Sequence, residues 1–153
     1  MNYLGLLVSA LVLLAGPASA EDAKPAGMDV GAIVLIDQMD WDKAEVVEVE
    51  LSEHSYSPSD LVFERNKPYI LRLNNTGVVS HDMVGGSFFG GIAIKMAQNR
   101  GGRIVTPVLR SIYVKPKQYM ELWFVPVRAG AYSFFCSLDG HREGGMEGDV
   151  IIK

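Results

Sequence analysis

Cysteine occurs once in this chain of 153 residues, at Cys136, and histidine only three times, at His54, His81 and His141. A single thiol excludes an internal disulfide and argues against structural zinc, which recruits two to four cysteines or additional histidines. Long apolar runs are scarce. The only extended one, LGLLVSALVLLAG over residues 4–16, is shorter than the roughly 20 residues a membrane-spanning helix needs. Acids are missing altogether between Asp82 and Glu121, where Lys95, Arg100, Arg103, Arg110, Lys115 and Lys117 fall. Internal repeats and low-complexity segments are lacking too.

The early apolar run ends at Ala18-Ser19-Ala20, a small-residue cleavage site, so residues 1–20 read as a secretory signal cut after Ala20. Met1-Asn2-Tyr3 carries no Lys or Arg, which leaves an uncleaved anchor as the alternative. Export to the periplasm or beyond is the expectation, with no transmembrane span in the mature chain. An exported lone thiol is a liability unless it is buried and inert or held by a metal.

Charge is unevenly distributed. Glu21 to Glu64 holds twelve acids against Lys24 and Lys43, whereas Arg65 to Lys153 holds twelve bases against six acids. The acid-free basic segment Lys95–Lys117 is either a solvated face or a docking surface for an acidic protein partner. An exported chain of net charge −4 is not expected to bind nucleic acid.

The chemistry concentrates near the C-terminus. FFCSLDGHREGGMEGDVIIK places Cys136, His141 and Met146 at Cys-x4-His-x4-Met spacing, with Gly144 and Gly145 allowing a sharp turn. Soft sulfur plus imidazole suits copper far better than magnesium or calcium. Two imidazoles, one thiolate and a weak axial thioether make the donor set of blue-copper electron-transfer sites. The loop needs one more imidazole, and His54 and His81 remain. His54 lies in a polar connection, SEHSYSP, while His81 follows a strand that could neighbour the Cys136 strand, so His81 is favoured.

Alternation in AEVVEVEL, Ala44 to Leu51, predicts a half-buried strand. Further strands are predicted over residues 58–64, 68–74, 78–84, 109–114, 118–127, 131–136 and 149–153. Phe88 or Phe89, Ile92 and Met96 recur at helical spacing and predict a short helix in a long loop between Gly85 and Gly102. Residues 21–43 read as a tail or edge strand, and residues 44–153 as one domain. Seven to eight short strands with close turn signals indicate an all-β, antiparallel sandwich or barrel.

These residues resemble the cupredoxins, the type 1 blue-copper family. The likeness runs through SYSPSDLVFERNKPYILRLNNTGVVSHD and closes on Tyr132 to Gly148, covering roughly residues 44–153. The ligand-loop spacing is similar to that of rusticyanin. The resemblance implies a Greek-key β-sandwich holding one copper per chain at one end through His81, Cys136, His141 and Met146. It also implies that the Asp82 backbone N–H reaches the Cys136 sulfur. Two features depart from the family pattern. Asp139, Gly140, Arg142 and Glu143 surround His141 where many cupredoxins carry an apolar docking patch. Gly85 to Leu109 is a long insertion beside the first histidine.

The expected role is a monomeric periplasmic copper protein carrying single electrons between protein redox partners, with docking at Lys95–Lys117. The alternative is a one-site copper-handling protein, a chaperone or copper-resistance binder. An enzyme is not expected. A multicopper oxidase or copper nitrite reductase needs further histidines for a second centre, and the binuclear copper of an oxidase subunit needs two cysteines.

Overall fold

The computed structural model describes residues 30–153, and the secretory-signal reading lies outside them. Among the described residues the chain forms eleven strands, two short α-helices and a single 3-10 turn at Trp41–Lys43. The strands are β1 (Glu45–Ser52), β2 (Ser55–Ser57), β3 (Asp60–Phe63), β4 (Tyr69–Asn75), β5 (His81–Val84), β6 (Ile92–Asn99), β7 (Gly102–Ile104), β8 (Ser111–Val114), β9 (Tyr119–Pro126), β10 (Gly130–Phe135) and β11 (Glu147–Ile152). The helices are α1 (Val30–Gln38) and α2 (Gly86–Gly90). One sheet runs β2-β1-β4-β9-β6-β7 and the other β3-β11-β10-β5-β8. The pairs β1/β4 and β3/β11 are parallel and the remaining neighbours antiparallel, so both sheets are mixed, not antiparallel throughout as the close turn signals suggest, because chain crossings between the layers bring β1 beside β4 and β3 beside β11. Because six of the nine neighbouring pairs are not consecutive in sequence, the chain crosses repeatedly between layers in the Greek-key manner.

The inner faces meet in an aromatic core. Phe63 packs on Tyr69 and Phe124 at ring separations of 4.9 and 5.1 Å, and Phe88 lies 5.9 Å from Phe124. Alternation in β1 behaves as the sequence predicts, with Val49 and Leu51 buried and Glu48 and Glu50 exposed.

Three further sequence expectations change. Residues 30–38 form a helix, where a tail or edge strand is the expectation. Ala32, Leu35, Ile36 and Met39 are its half-buried positions, at i, i+3, i+4 and i+7. Exposed Ile33 and Val34 turn that periodicity into a continuous apolar run and mask it. The turn after α1 is held by Trp41, whose indole N–H donates to the Ile36 carbonyl at 3.1 Å and whose ring meets Trp123 at 5.8 Å.

The helix expected between Gly85 and Gly102 stops at Gly90. Ile92 and Met96 belong instead to β6, which pairs with β9 through a bulge between Ile94 and Met96. Burial on both faces of β6 gives it a near-continuous apolar sequence, which cannot be told from a buried helix by periodicity. The presumed insertion therefore supplies strands β6 and β7 of the larger sheet. The basic segment also divides. The Lys95 ammonium sits 4.2 Å from the Trp41 ring and 5.5 Å from the Trp123 ring, on the outer face of that sheet. Arg100 and Arg103 flank the β6–β7 turn and are exposed.

Candidate metal centre

Strand registers bring four connections to one end of the sandwich. They are the β1–β2 turn, the β4–β5 loop, the β8–β9 turn and the β10–β11 loop. His81 opens β5 opposite Val114, and Cys136 directly follows β10. The loop from Ser137 to Met146 is closed by its own backbone. Cys136 N–H donates to the Met146 carbonyl at 3.0 Å, and Met146 N–H donates to the His141 carbonyl at 2.9 Å. Gly140 and Gly145 take φ values of 75° and 98°, a left-handed region that side chains disfavour, and so permit the fold-back.

This brings all four sequence-predicted residues together. Cys136 Sγ lies 4.0 Å from His81 Nδ1 and 3.8 Å from His141 Nδ1, and His141 Nδ1 lies 3.4 Å from Met146 Sδ. His81, Cys136 and His141 are the only group of three or more metal-binding His, Cys, Asp or Glu side chains among the described residues, with donor atoms within 4.8 Å of one another. Donors about 2.0–2.3 Å from a shared ion stand roughly 3.4–3.8 Å apart, so the spacing fits one ion. His81, Cys136 and Met146 are fully buried, and His141 is half-buried.

Burial sets the electrostatics. It pushes the His81 pKa down, helped by neighbouring His141, and keeps the ring in the neutral form a ligand needs. It pushes the Cys136 thiol up, against the backbone N–H groups of Asp82 and Leu138 that reach the sulfur. A positive ion at this point would favour the thiolate and release its proton.

Supporting residues fix the donors. Fully buried Asn75 donates from its side chain to the Val79 and Val114 carbonyls at 2.8 and 2.9 Å and accepts from Gly77 N–H at 2.9 Å, which pins the loop ahead of His81. The Asp82 carboxylate binds Ser137, next to Cys136. The Tyr56 hydroxyl donates to the Asp82 carbonyl. Gly77 lets the chain pass close to the first histidine. A Cβ there would stand 3.0 Å from His81 Nε2 and 2.6 Å from Glu53 Oε1. His81 Nε2 itself is buried with no hydrogen-bond partner.

The sequence reading set His54 aside, yet the structure brings it to the site. Its ring meets the His141 ring at 4.6 Å. Strands β1 and β2, joined through Glu53 and His54, form a hairpin whose turn reaches the ligand loop. The three-residue strand Ser55–Ser57 is too short to announce itself by alternation.

No protein-family model matches the chain, and no curated protein is significantly similar to it in sequence. Its fold is similar to those of solved copper proteins. Auracyanin from Roseiflexus castenholzii is 16% identical with a TM-score of 0.50, over 72% of this chain and 98% of that one. Auracyanin B is 18% identical with a TM-score of 0.51, over 72% and 89%. A multicopper oxidase from Campylobacter jejuni is 15% identical with a TM-score of 0.52, and the match covers 71% of this chain but only 30% of the oxidase. The fold is cupredoxin-like, and with this donor set it supports a single type 1 copper.

Proposed function

We propose that the protein is a periplasmic electron carrier whose one copper is held by His81, Cys136, His141 and Met146. The observation that carries this reading is the convergence of one cysteine sulfur, two imidazole Nδ1 atoms and one thioether at 3.4–4.0 Å spacings. Bound copper would supply a one-electron couple between Cu(I) and Cu(II). The chain's own task is to keep the donors still. Backbone bonds across the ligand loop, the Asp82–Ser137 pair and Asn75 do so. Such preorganisation favours a carrier over a copper-handling protein, as does the full burial of three of the four donors, which opposes rapid exchange.

Enzymatic copper chemistry needs a further centre or an open coordination position for substrate. The chain has three histidines, two in this donor set and the third packed against one of them. Residues 44–153 would form the copper domain and residues 1–20 the export signal. Among the described residues no helix is long and apolar enough to cross a membrane. The partner would be another redox protein, steered in part by the exposed cations Arg100 and Arg103.

The deciding experiment is a visible spectrum during Cu(II) titration of the purified chain. An intense sulfur-to-copper charge-transfer band saturating at one equivalent is expected. A colourless protein that prefers zinc would refute the reading.

A further inference from the structure

His54 lies outside the donor set, but two tethers hold its ring against His141. Glu53 Oε1 accepts the Val78 N–H at 2.6 Å, tying the β1–β2 turn to the loop that leads to His81. The second tether is steric. His54 occupies the space where Gly144 has no side chain, and a Cβ at Gly144 would overlap His54 Nδ1. The ring lies 4.6 Å from the His141 ring at a tilt of 42°. His54 also takes φ of 63°, a left-handed conformation that is costly for a residue with a Cβ. A side chain placed at that cost and packed on a half-buried ring is part of the site's architecture. His54 itself is exposed.

We propose that His54 is the surface through which a redox partner reaches this site, with its ring bridging the partner to His141. The proposal rests on the electron-carrier reading above. The partner's contact face would be apolar around the edge of a one-electron cofactor. The reason is Val78, 74% exposed, and Val79, 39% exposed, whose backbone N–H groups both approach the carboxylate of Glu53, the residue before His54. The apolar contact absent from the residues flanking His141 is thus supplied by the β4–β5 loop. In the step itself the reduced protein loses one electron and the oxidised partner gains it. No bond forms or breaks, and no proton moves.

A second copy of the protein serves as the probe. Electron self-exchange is measured by NMR line broadening in mixtures of the copper-loaded oxidised and reduced forms. His54→Ala should keep the visible band and the reduction potential, and should slow exchange by about tenfold or more, because small losses of contact between reacting centres cost large factors in rate. His54→Phe restores an aromatic ring and should recover exchange to within about threefold of wild type. Val78→Asp, at a position open to solvent, should slow exchange without touching the donors. A readout independent of electron flow is the metal-free chain, in which the His141 ring protons should shift when His54 is replaced by Ala. Exchange in His54→Ala as fast as wild type or faster, with the band intact, overturns the proposal and leaves the carrier reading standing. So does a His141 resonance indifferent to the replacement, or a Val78→Asp variant that exchanges normally. Absence of the band in the wild-type protein removes the carrier reading and this proposal with it.

Discussion

The Asp82 carboxylate accepts two hydrogen bonds from Ser137, from its backbone N–H at 2.7 Å and from its hydroxyl at 2.6 Å. Each partner directly follows a proposed ligand, so this one side chain ties the strand of His81 to the strand of Cys136. Asp82 is only 7% exposed, which leaves its charge little screened. Asp82→Asn keeps an acceptor for the N–H and offers the hydroxyl a donor, so the geometry should survive. Loss of a buried negative charge disfavours Cu(II), and the reduction potential should rise with the visible band retained. Asp82→Ala removes both bonds and should cost about 1–3 kcal/mol in urea unfolding of the metal-free chain. A potential that stays put or falls in Asp82→Asn would show that the carboxylate acts only as a clamp.

Three of the four donors, with His54 as the control, should separate by role. Cys136→Ser should abolish the charge-transfer band, since the band requires the thiolate. His81→Ala should open a coordination position and change the spectrum, while His54→Ala should leave it nearly unchanged. Met146→Leu should keep copper bound and raise the potential, because a weak donor to Cu(II) is lost. Absorption spectra and voltammetry of the four variants check this. A band destroyed by His54→Ala would mean that the upstream ligand is misassigned.

Gly148 carries the packing beneath the site. It lies in β11, and a Cβ there would overlap the Ser59 carbonyl oxygen and stand 2.5 Å from the Phe134 ring. The obstacle is partly backbone, so it cannot rotate away. Gly148→Ala should destabilise the fold by about 1–3 kcal/mol, read from chemical denaturation. Gly86→Ala is the control, because a Cβ at that position meets nothing within 4 Å.

Glu121 sits on the outer face of the larger sheet and is 8% exposed. Burial raises its pKa, but hydrogen bonds from Gln98, Arg72 and Trp123 outweigh that, and the net effect holds it below the ordinary value of 4.5. A carboxyl depressed on folding contributes stability that is fully present above its unfolded pKa and is lost as pH falls through the folded one. Stability should therefore decline with acidification below about pH 4.5. Glu121→Gln should flatten that part of the profile and cost about 1–3 kcal/mol near neutrality, since three donors lose a charged acceptor. Denaturation midpoints at several pH values test both.

The candidate donor loop is legible in the sequence because its proposed ligands are local: Cys136, His141 and Met146 fall within eleven residues. The β1 alternation was legible for a similar reason, one buried face and one wet one. What was lost depended on partners far away in sequence. β6 is apolar because β9 and the core flank it, so its Ile92 and Met96 imitate a helix. Helix α1 was hidden by Ile33 and Val34, which are exposed despite their chemistry. His54 gave no signal, since its meaning comes entirely from a hairpin that folds it onto His141. Asp82 and Ser137 each directly follow a donor residue, yet only pairing across 55 residues makes them a clamp.

Arg100 and Arg103 give the remaining prediction. They flank the β6–β7 turn, both are exposed, and neither makes an ion pair among the described residues. The turn lies at the same end of the sandwich as the donors. Asn99 and Arg100 share a cleft there with Lys117, whose ammonium donates to the Thr76 carbonyl, one residue before Gly77 and the buried edge of His81. Lys95, by contrast, is held between two tryptophans on the sheet face and should take no part. Exposed charges of this kind act mainly on association rate, and salt screens them over about 8–10 Å at roughly 0.1–0.15 M ionic strength. Electron transfer to an acidic redox protein should therefore slow as salt rises. The double variant Arg100→Glu, Arg103→Glu should slow it further at low salt and flatten the salt dependence, with the copper spectrum unchanged. Lys95→Gln should leave the salt dependence as it is. Stopped-flow rates indifferent to both salt and charge reversal would make these arginines an ordinary solvated edge, and recognition would then rest on the uncharged contact around His54.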